Sequence, residues 1–163
     1  MKREHYQELG LYIVSFQTLE QAIALIANEL ISDDQTLGNI LISKMSFRNL
    51  CEIFSALFNY RCNNVNLNKK LLEILKRIKT IEEKRNTFIH SIWGFPATHL
   101  GNGALRIKKR IKKNVFSFDL DIVKKEDIRK ATQEISKVID DFFKLIQKSQ
   151  ETNCIKFSKF VHI

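Results

Sequence analysis

The sequence predicts an all-α protein: a four-helix up-and-down bundle with a small β-hairpin inserted before the last helix. Three observations carry this. The 163 residues include only five Gly and one Pro, too few for a turn-rich all-β fold. Four long stretches repeat apolar residues at three- and four-residue steps, the period of a helix buried on one face. One stretch ahead of the last helix loses that period and alternates instead. No internal repeat, low-complexity segment or flexible linker interrupts the chain, so residues 1–163 read as one domain. That length can bury a core without disulfides or a structural metal.

The first helix is expected over residues 6–31. Tyr12, Phe16, Leu19, Ile23, Ile26 and Leu30 form its apolar stripe. Ser32-Asp33-Asp34 ends it, and Gly38 falls in the following loop. Ile40-Leu41-Ile42 is a short apolar run, extended or part of a turn. Ser46 is a good N-cap for the second helix, whose inward face is Phe47, Leu50, Cys51, Phe54, Leu57 and Phe58. Asn63-Asn64-Val65-Asn66 has turn chemistry.

The third helix is expected over residues 67–92. Its stripe runs Leu71, Ile74 or Leu75, Ile78, Ile81, Arg85, Phe88 and Ile92. Arg85 stands where an apolar residue is expected. Gly94-Phe95-Pro96 stops this helix. Two strands follow, over residues 104–111 and 115–120, joined around Lys112-Lys113-Asn114; a basic helical turn is the alternative. The last helix covers residues 125–147, with Ile128, Ala131, Ile135, Val138, Ile139, Phe142 and Ile146 inward. The tail from Cys154 to Ile163 docks through Phe157 and Phe160.

Lys and Arg number 27 against 18 Asp and Glu, a formal net charge of +9. Such a charge favours a polyanionic partner, nucleic acid first and an acidic protein second. Cys51, Cys62 and Cys154 form no Cys-x-x-Cys pair and no Cys/His ligand spacing. Cys51 reads as a small core residue, and a reducing cytoplasmic setting is expected. The start Met-Lys-Arg-Glu-His lacks a signal-peptide run. No stretch of about 18 or more uninterrupted apolar residues predicts a membrane span. No carboxylate cluster would hold a metal, and no cofactor is expected.

The chemistry concentrates at Arg85-Asn86-Thr87-Phe88-Ile89-His90, near the end of the third helix. Asn86 and His90 are four residues apart and share a helix face. Arg85 lies about 140° around from His90, within reach of a curled side chain. Histidine titrates near neutrality and suits proton transfer. Arginine keeps its charge and grips phosphate oxygens bidentately. Asn86 can bind a phosphate oxygen or orient the imidazole. These are the groups that cleave RNA by attack of its own 2′-hydroxyl, without metal. The structural alternative pairs Arg85 with Glu20 or Glu52 in the core and leaves His90 as a cation favoured by the helix dipole.

The segment resembles the signature of the HEPN superfamily, helical domains whose RNase members carry an arginine, usually a polar neighbour, and a histidine after four to six intervening residues. An arginine-to-histidine spacing is common in so basic a chain; Asn86 directly after Arg85 makes it more specific. The layout is similar too: a long first helix, a second opening at Ser46-Phe47-Arg48, the motif ending a third, then Trp93-Gly94 and a final helix. The resemblance implies a metal-independent endoribonuclease, a toxin or anti-phage defence effector. It also implies a homodimer whose motif helices form one composite site, restrained by a partner such as a nucleotidyltransferase-like antitoxin. The alternative is a non-catalytic helical module that binds RNA or protein.

Arg106, Lys108, Lys109, Arg110, Lys112 and Lys113 are expected to grip the RNA backbone from the hairpin, or else to form a solvated basic face. Trp93 is a core residue or a base-stacking one. His99 lies in a loop, and Gly101-Asn102-Gly103 is too short for a phosphate-binding fingerprint.

Overall fold

Helix formation here follows caps and stripes that the chain supplies locally. The computed structural model describes residues 3–94, 103–112 and 115–156. Among these residues it contains α1 (Arg3–Ile31), α2 (Gln35–Ile42), α3 (Phe47–Arg61), α4 (Val65–Ile89), β1 (Ile92–Gly94), β2 (Ala104–Lys112), β3 (Val115–Val123) and α5 (Lys125–Glu151). The fold is mostly helical, with a three-stranded antiparallel sheet in the order β1-β2-β3 before the last helix. The expected docking of Phe157 and Phe160, and the loop with His99 and Gly101, lie outside the described residues.

Two compact units share three of the helices. The first contains Met1–Phe16 and Thr80–Ser136, hence the start of α1, the end of α4, the sheet and the first half of α5. Tyr12, Phe16, Ile81, Phe88, Ala104, Ile128, Ala131 and Ile135 are its buried apolar side chains among the described residues. Phe88 meets the edge of Tyr12, with ring centroids 5.1 Å apart. Glu4 and Glu8 on α1 pair with Lys125 and Arg129 on α5.

The second unit contains Gln17–Lys79 and Lys137–Ile163. Leu19, Ile23, Ile26 and Leu30 of α1 are buried there, with Leu50, Phe54 and Phe58 of α3, Leu71, Ile74 and Ile78 of α4, and Val138, Phe142 and Ile146 of α5. Phe54 and Phe142 pack edge to face at 5.3 Å. Ile74, not Leu75, takes the buried position on α4. Cys51 is half-buried rather than core.

The Ile40-Leu41-Ile42 run is helical, not extended. Asp34 is the N-cap, accepting from the backbone N–H groups of Thr36 and Leu37, which satisfies donors that a helix start otherwise leaves open. Asn28 of α1 holds α2 by donating to Gln35 O at 3.2 Å and Asn39 Oδ1 at 2.9 Å. Ser46 caps α3 as expected, through a bond from Asn49 N. Helix α4 begins earlier than the periodicity implies, because Asn64 is its cap rather than a turn residue, accepting from Asn66 N and Leu67 N.

The last helix runs to Glu151. Its acidic first turn, Glu126 and Asp127, suits the positive end of the helix dipole. It is closed by Asn153 at φ 51°, a left-handed position that Asn tolerates better than most residues. Cys62 at the end of α3 is bonded to Cys154 beyond α5, a disulfide the cysteine spacing did not reveal. Helix α1 is long and apolar enough, by length and composition, to cross a membrane. Core helices of soluble proteins and signal sequences near an N-terminus pass the same test. Polar residues scattered through α1 break any uninterrupted apolar run, while the helix as a whole stays apolar.

Candidate active site

Helix α4 stops three residues short of its expected end. Its last carbonyls are taken by groups that follow it. His90 N–H donates to Asn86 O at 3.1 Å, the Ser91 hydroxyl to Thr87 O, and the Trp93 indole Nε1 to Phe88 O at 2.8 Å. A helix end needs such partners. With them supplied, Ile92 leaves the helical stripe, becomes exposed, and starts β1. Trp93 is half-buried against Phe88, ring centroids 5.9 Å apart. Its indole is committed to the helix end, which is the core reading of this residue.

Arg85 is half-buried. Its guanidinium carbon lies 5.4 Å from the ring centroid of Phe16, a cation–π arrangement that retains the charge beside apolar surface. Its Nη1 donates to Asn86 Oδ1 at 3.1 Å. None of the ion pairs among the described residues involves Arg85, so the alternative pairing with Glu20 or Glu52 is not formed. The guanidinium is thus held in place by a ring and one neutral acceptor. Among the described residues its other nitrogens have no hydrogen-bond acceptor, and such nitrogens can grip an anion.

Tyr12, fully buried beneath this corner, donates its hydroxyl to Ile81 O at 2.9 Å. Burial pushes its phenol up to about 12, and the nearby Arg85 charge offsets part of that. His90 is exposed at the first position after α4. Its ring makes no hydrogen bond among the described residues. The structure therefore brings Arg85 and Asn86 into direct contact, while His90 stands a turn further on with its imidazole in solvent.

The six basic hairpin residues divide by strand register. Trp93 pairs with Arg106 and Ile92 with Ile107, so alternate β2 side chains point to opposite faces. Arg106 turns toward the end of α4, is 7% exposed, pairs with Asp121 and lies 3.4 Å from Ser91 Oγ. Its guanidinium is committed within the protein. Lys108 turns the same way and puts Nζ 3.3 Å from Thr87 Oγ1, bringing a second cation to the motif helix, next to Asn86 in the chain. Lys109 is exposed on the other face. The side chains of Arg110 and Lys112, and all of Lys113, lie outside the described residues.

Sequence reasoning missed Phe16 as the seat for Arg85, Tyr12 beneath it, and Thr87 as the contact of Lys108. Periodicity marks the first two only as stripe residues, since it shows that a side chain is inward and not what it touches. Among the described residues, no group of three or more His, Cys, Asp or Glu could hold a metal ion. Comparison of the chain with protein-family models, curated proteins and solved structures finds no match to any of them.

Proposed function

We infer that the protein is a metal-independent endoribonuclease of HEPN type, its helices forming the up-and-down bundle of that family. The observation that carries this reading is the end of α4: a half-buried arginine with unclaimed donors, an amide touching it, and an exposed histidine one turn on. Arg85 holds the scissile phosphate. Asn86 accepts from Arg85 and offers its amide N–H to a phosphate oxygen. Lys108 adds charge at the same helix end.

His90 moves the proton. A base takes the proton of the 2′-hydroxyl, whose oxygen attacks phosphorus. The bond to the 5′-oxygen breaks, an acid protonates that oxygen, and a 2′,3′-cyclic phosphate forms, which water can open to a 3′-phosphate. One exposed imidazole serves one of the two proton roles at a time. A second copy supplying its own His90 accounts for the other, which is the composite site the resemblance implies. By the same resemblance, the setting is cytoplasmic, as a toxin or anti-phage effector whose partner is an antitoxin such as a nucleotidyltransferase-like protein.

The test is cleavage of mixed RNA in EDTA. Wild type is expected to cut. His90→Ala is expected to lose about 10²- to 10⁴-fold in rate, the usual worth of a general acid or base. Arg85→Ala is expected to lose about 10²- to 10³-fold, the scale of a charge stabiliser at the reacting centre. Both substitutions are at half-buried or exposed positions, so circular dichroism should show intact helices. Binding without cleavage by all three proteins would support the helical binding module instead.

A further inference from the structure

We propose that the groove between α4 and α5 in the second unit binds a small phosphate monoester with a hydroxylated body, a sugar or polyol phosphate. The groove has a volume of about 340 Å³, within the ~300–1,000 Å³ of small-molecule sites. Its floor is Leu67, Ile74 and Leu145, all buried. Its rim is charged, and the order of the charges follows from the two helices. Arg77 of α4 pairs with Asp141 of α5 at 2.6 Å. Lys70 stands seven residues back along α4, and Lys148 seven residues forward along α5, each about 10.5 Å along its helix axis. Both line the same groove. The helices therefore run antiparallel there, and Lys70 comes opposite Lys148. Glu73 and Lys144 fall between these two levels.

This order of charges selects the ligand. The level of Lys70 and Lys148 sets two ammonium groups across from one another, and like charges so placed repel unless an anion lies between them. Among the described residues neither Lys70 nor Lys144 forms an ion pair. Lys148 has a pair with Glu151 at 3.2 Å, but both side chains are exposed, so it is held weakly. A phosphate monoester carries close to two negative charges near neutral pH and matches two ammonium groups, whereas a carboxylate matches one. Further along, Glu73 and Asp141 repel a second phosphate, which disfavours a polyphosphate or a strand of RNA. The same carboxylates accept hydrogen bonds from hydroxyl groups, and Arg77 has further N–H groups to donate. The buried apolar floor suits the C–H face of a sugar ring. Anionic head and hydroxylated body thus have separate places in one groove.

The groove belongs to the second unit, whereas Arg85, Asn86 and His90 belong to the first. The proposal therefore stands without the nuclease reading. Lys70, Lys144 and Lys148 are exposed, so replacing them removes charge and leaves the packed floor in place.

Amide NMR on the full chain tests it, by titration with glucose 6-phosphate, ribose 5-phosphate and glycerol 3-phosphate. At least one of the three is expected to shift the amides around Lys70, Ile74 and Lys144 saturably, with a dissociation constant of about 1 mM or below. Lys70→Gln and Lys148→Gln are each expected to weaken that binding about ten-fold or more, the scale of a lost hydrogen bond to a charged group. The charge-retaining Lys70→Arg should bind like wild type, as should Lys109→Gln, which lies in the first unit. Glucose and inorganic phosphate are each expected to bind at least about ten-fold more weakly than the best sugar phosphate, because each offers only one half of the contacts. The proposal is overturned if none of the three probes gives a saturable shift, or if both lysine variants bind like wild type. Inorganic phosphate binding as tightly as the best probe overturns it in favour of a plain anion site. A short single-stranded RNA that displaces the probe at lower concentration overturns it in favour of a strand-binding groove. Loss of RNA cleavage in any of these proteins counts against the nuclease reading alone, since the shifts do not depend on catalysis.

Discussion

Tyr12 shows how one side chain ties the candidate site to the core. It is fully buried, donates to Ile81 O on α4, and lies near the Arg85 charge. Removing the hydroxyl in Tyr12→Phe deletes one buried hydrogen bond and leaves a carbonyl short of a donor. The expected cost is about 1 kcal/mol near neutral pH, read as a lower urea midpoint. The advantage of the tyrosine should vanish in alkali. Its folded phenol is raised from 10.0 to about 12, so its neutral form is favoured by folding. The stabilisation is whole below pH 10 and is lost as pH rises toward 12, because the unfolded phenol ionises first. Wild type and Tyr12→Phe should therefore draw together above pH 10 and cross before pH 12, because a rise from 10.0 to about 12 outweighs a hydroxyl worth about 1 kcal/mol. A gap that stays constant up to pH 12 would mean that the phenol is not buried as described. Arg85 belongs to the same corner. Its place on an apolar stripe was legible from periodicity alone, whereas its seat on Phe16 was not, since a stripe names no partners.

At the scale of elements, the sequence reads well where a local rule decides and poorly where a tertiary contact does. The stripes of α1, α3 and α5 and the Ser46 cap follow from residue types in order. The hairpin was legible from alternation around Lys112-Lys113-Asn114, and the strands run one residue further on β2 and three on β3. Alternation could not say which face turns outward, because period two looks the same from either side. The end of α4 was misplaced because the groups that close it, Ser91 and Trp93, are recognisable as caps only once the chain has turned. Helix α2 is hard to read from the sequence for a similar reason. Gly38 read as a loop residue, yet it is buried against Asn28: a Cβ placed on it would lie 1.7 Å from Asn28 Oδ1 and 2.7 Å from Asn28 Cγ. Gly38→Ala must displace the amide that holds α2, so the helix-propensity gain is outweighed by overpacking of about 1–3 kcal/mol. Gly10→Ala, with nothing within 4 Å of its Cβ, should be neutral or stabilising by comparison. Thermal unfolding of the two variants decides it, and equal behaviour would remove Asn28 as the anchor of α2.

For the whole molecule, the largest constraint that the order of residues conceals is the Cys62–Cys154 bond. It joins positions 92 residues apart, with neither cysteine in a spacing that announces a partner. Cys62 is fully buried at the end of α3, and Cys154 follows the left-handed turn at Asn153, so the pairing depends on that turn as much as on the cysteines. A crosslink acts chiefly on the unfolded chain, whose loop closure it prepays. A loop of this length implies about 4–5 kcal/mol in the chain-entropy account, and 2–5 kcal/mol is the usual range for a native bond. Reduction, or Cys154→Ser, should lower the urea midpoint accordingly. It should also raise the slope of unfolding free energy against urea, because an unlinked chain exposes more surface when it unfolds. The two readouts separate the crosslink from mere packing at Cys62, which would shift the midpoint and leave the slope alone. In a reducing cytoplasm, where thiols persist, the less stable form would be the working one, and cleavage assays with and without reductant should then agree at temperatures well below its midpoint. Coincident urea curves with and without reductant, together with three titratable thiols in denatured wild type, would show that the bond does not form.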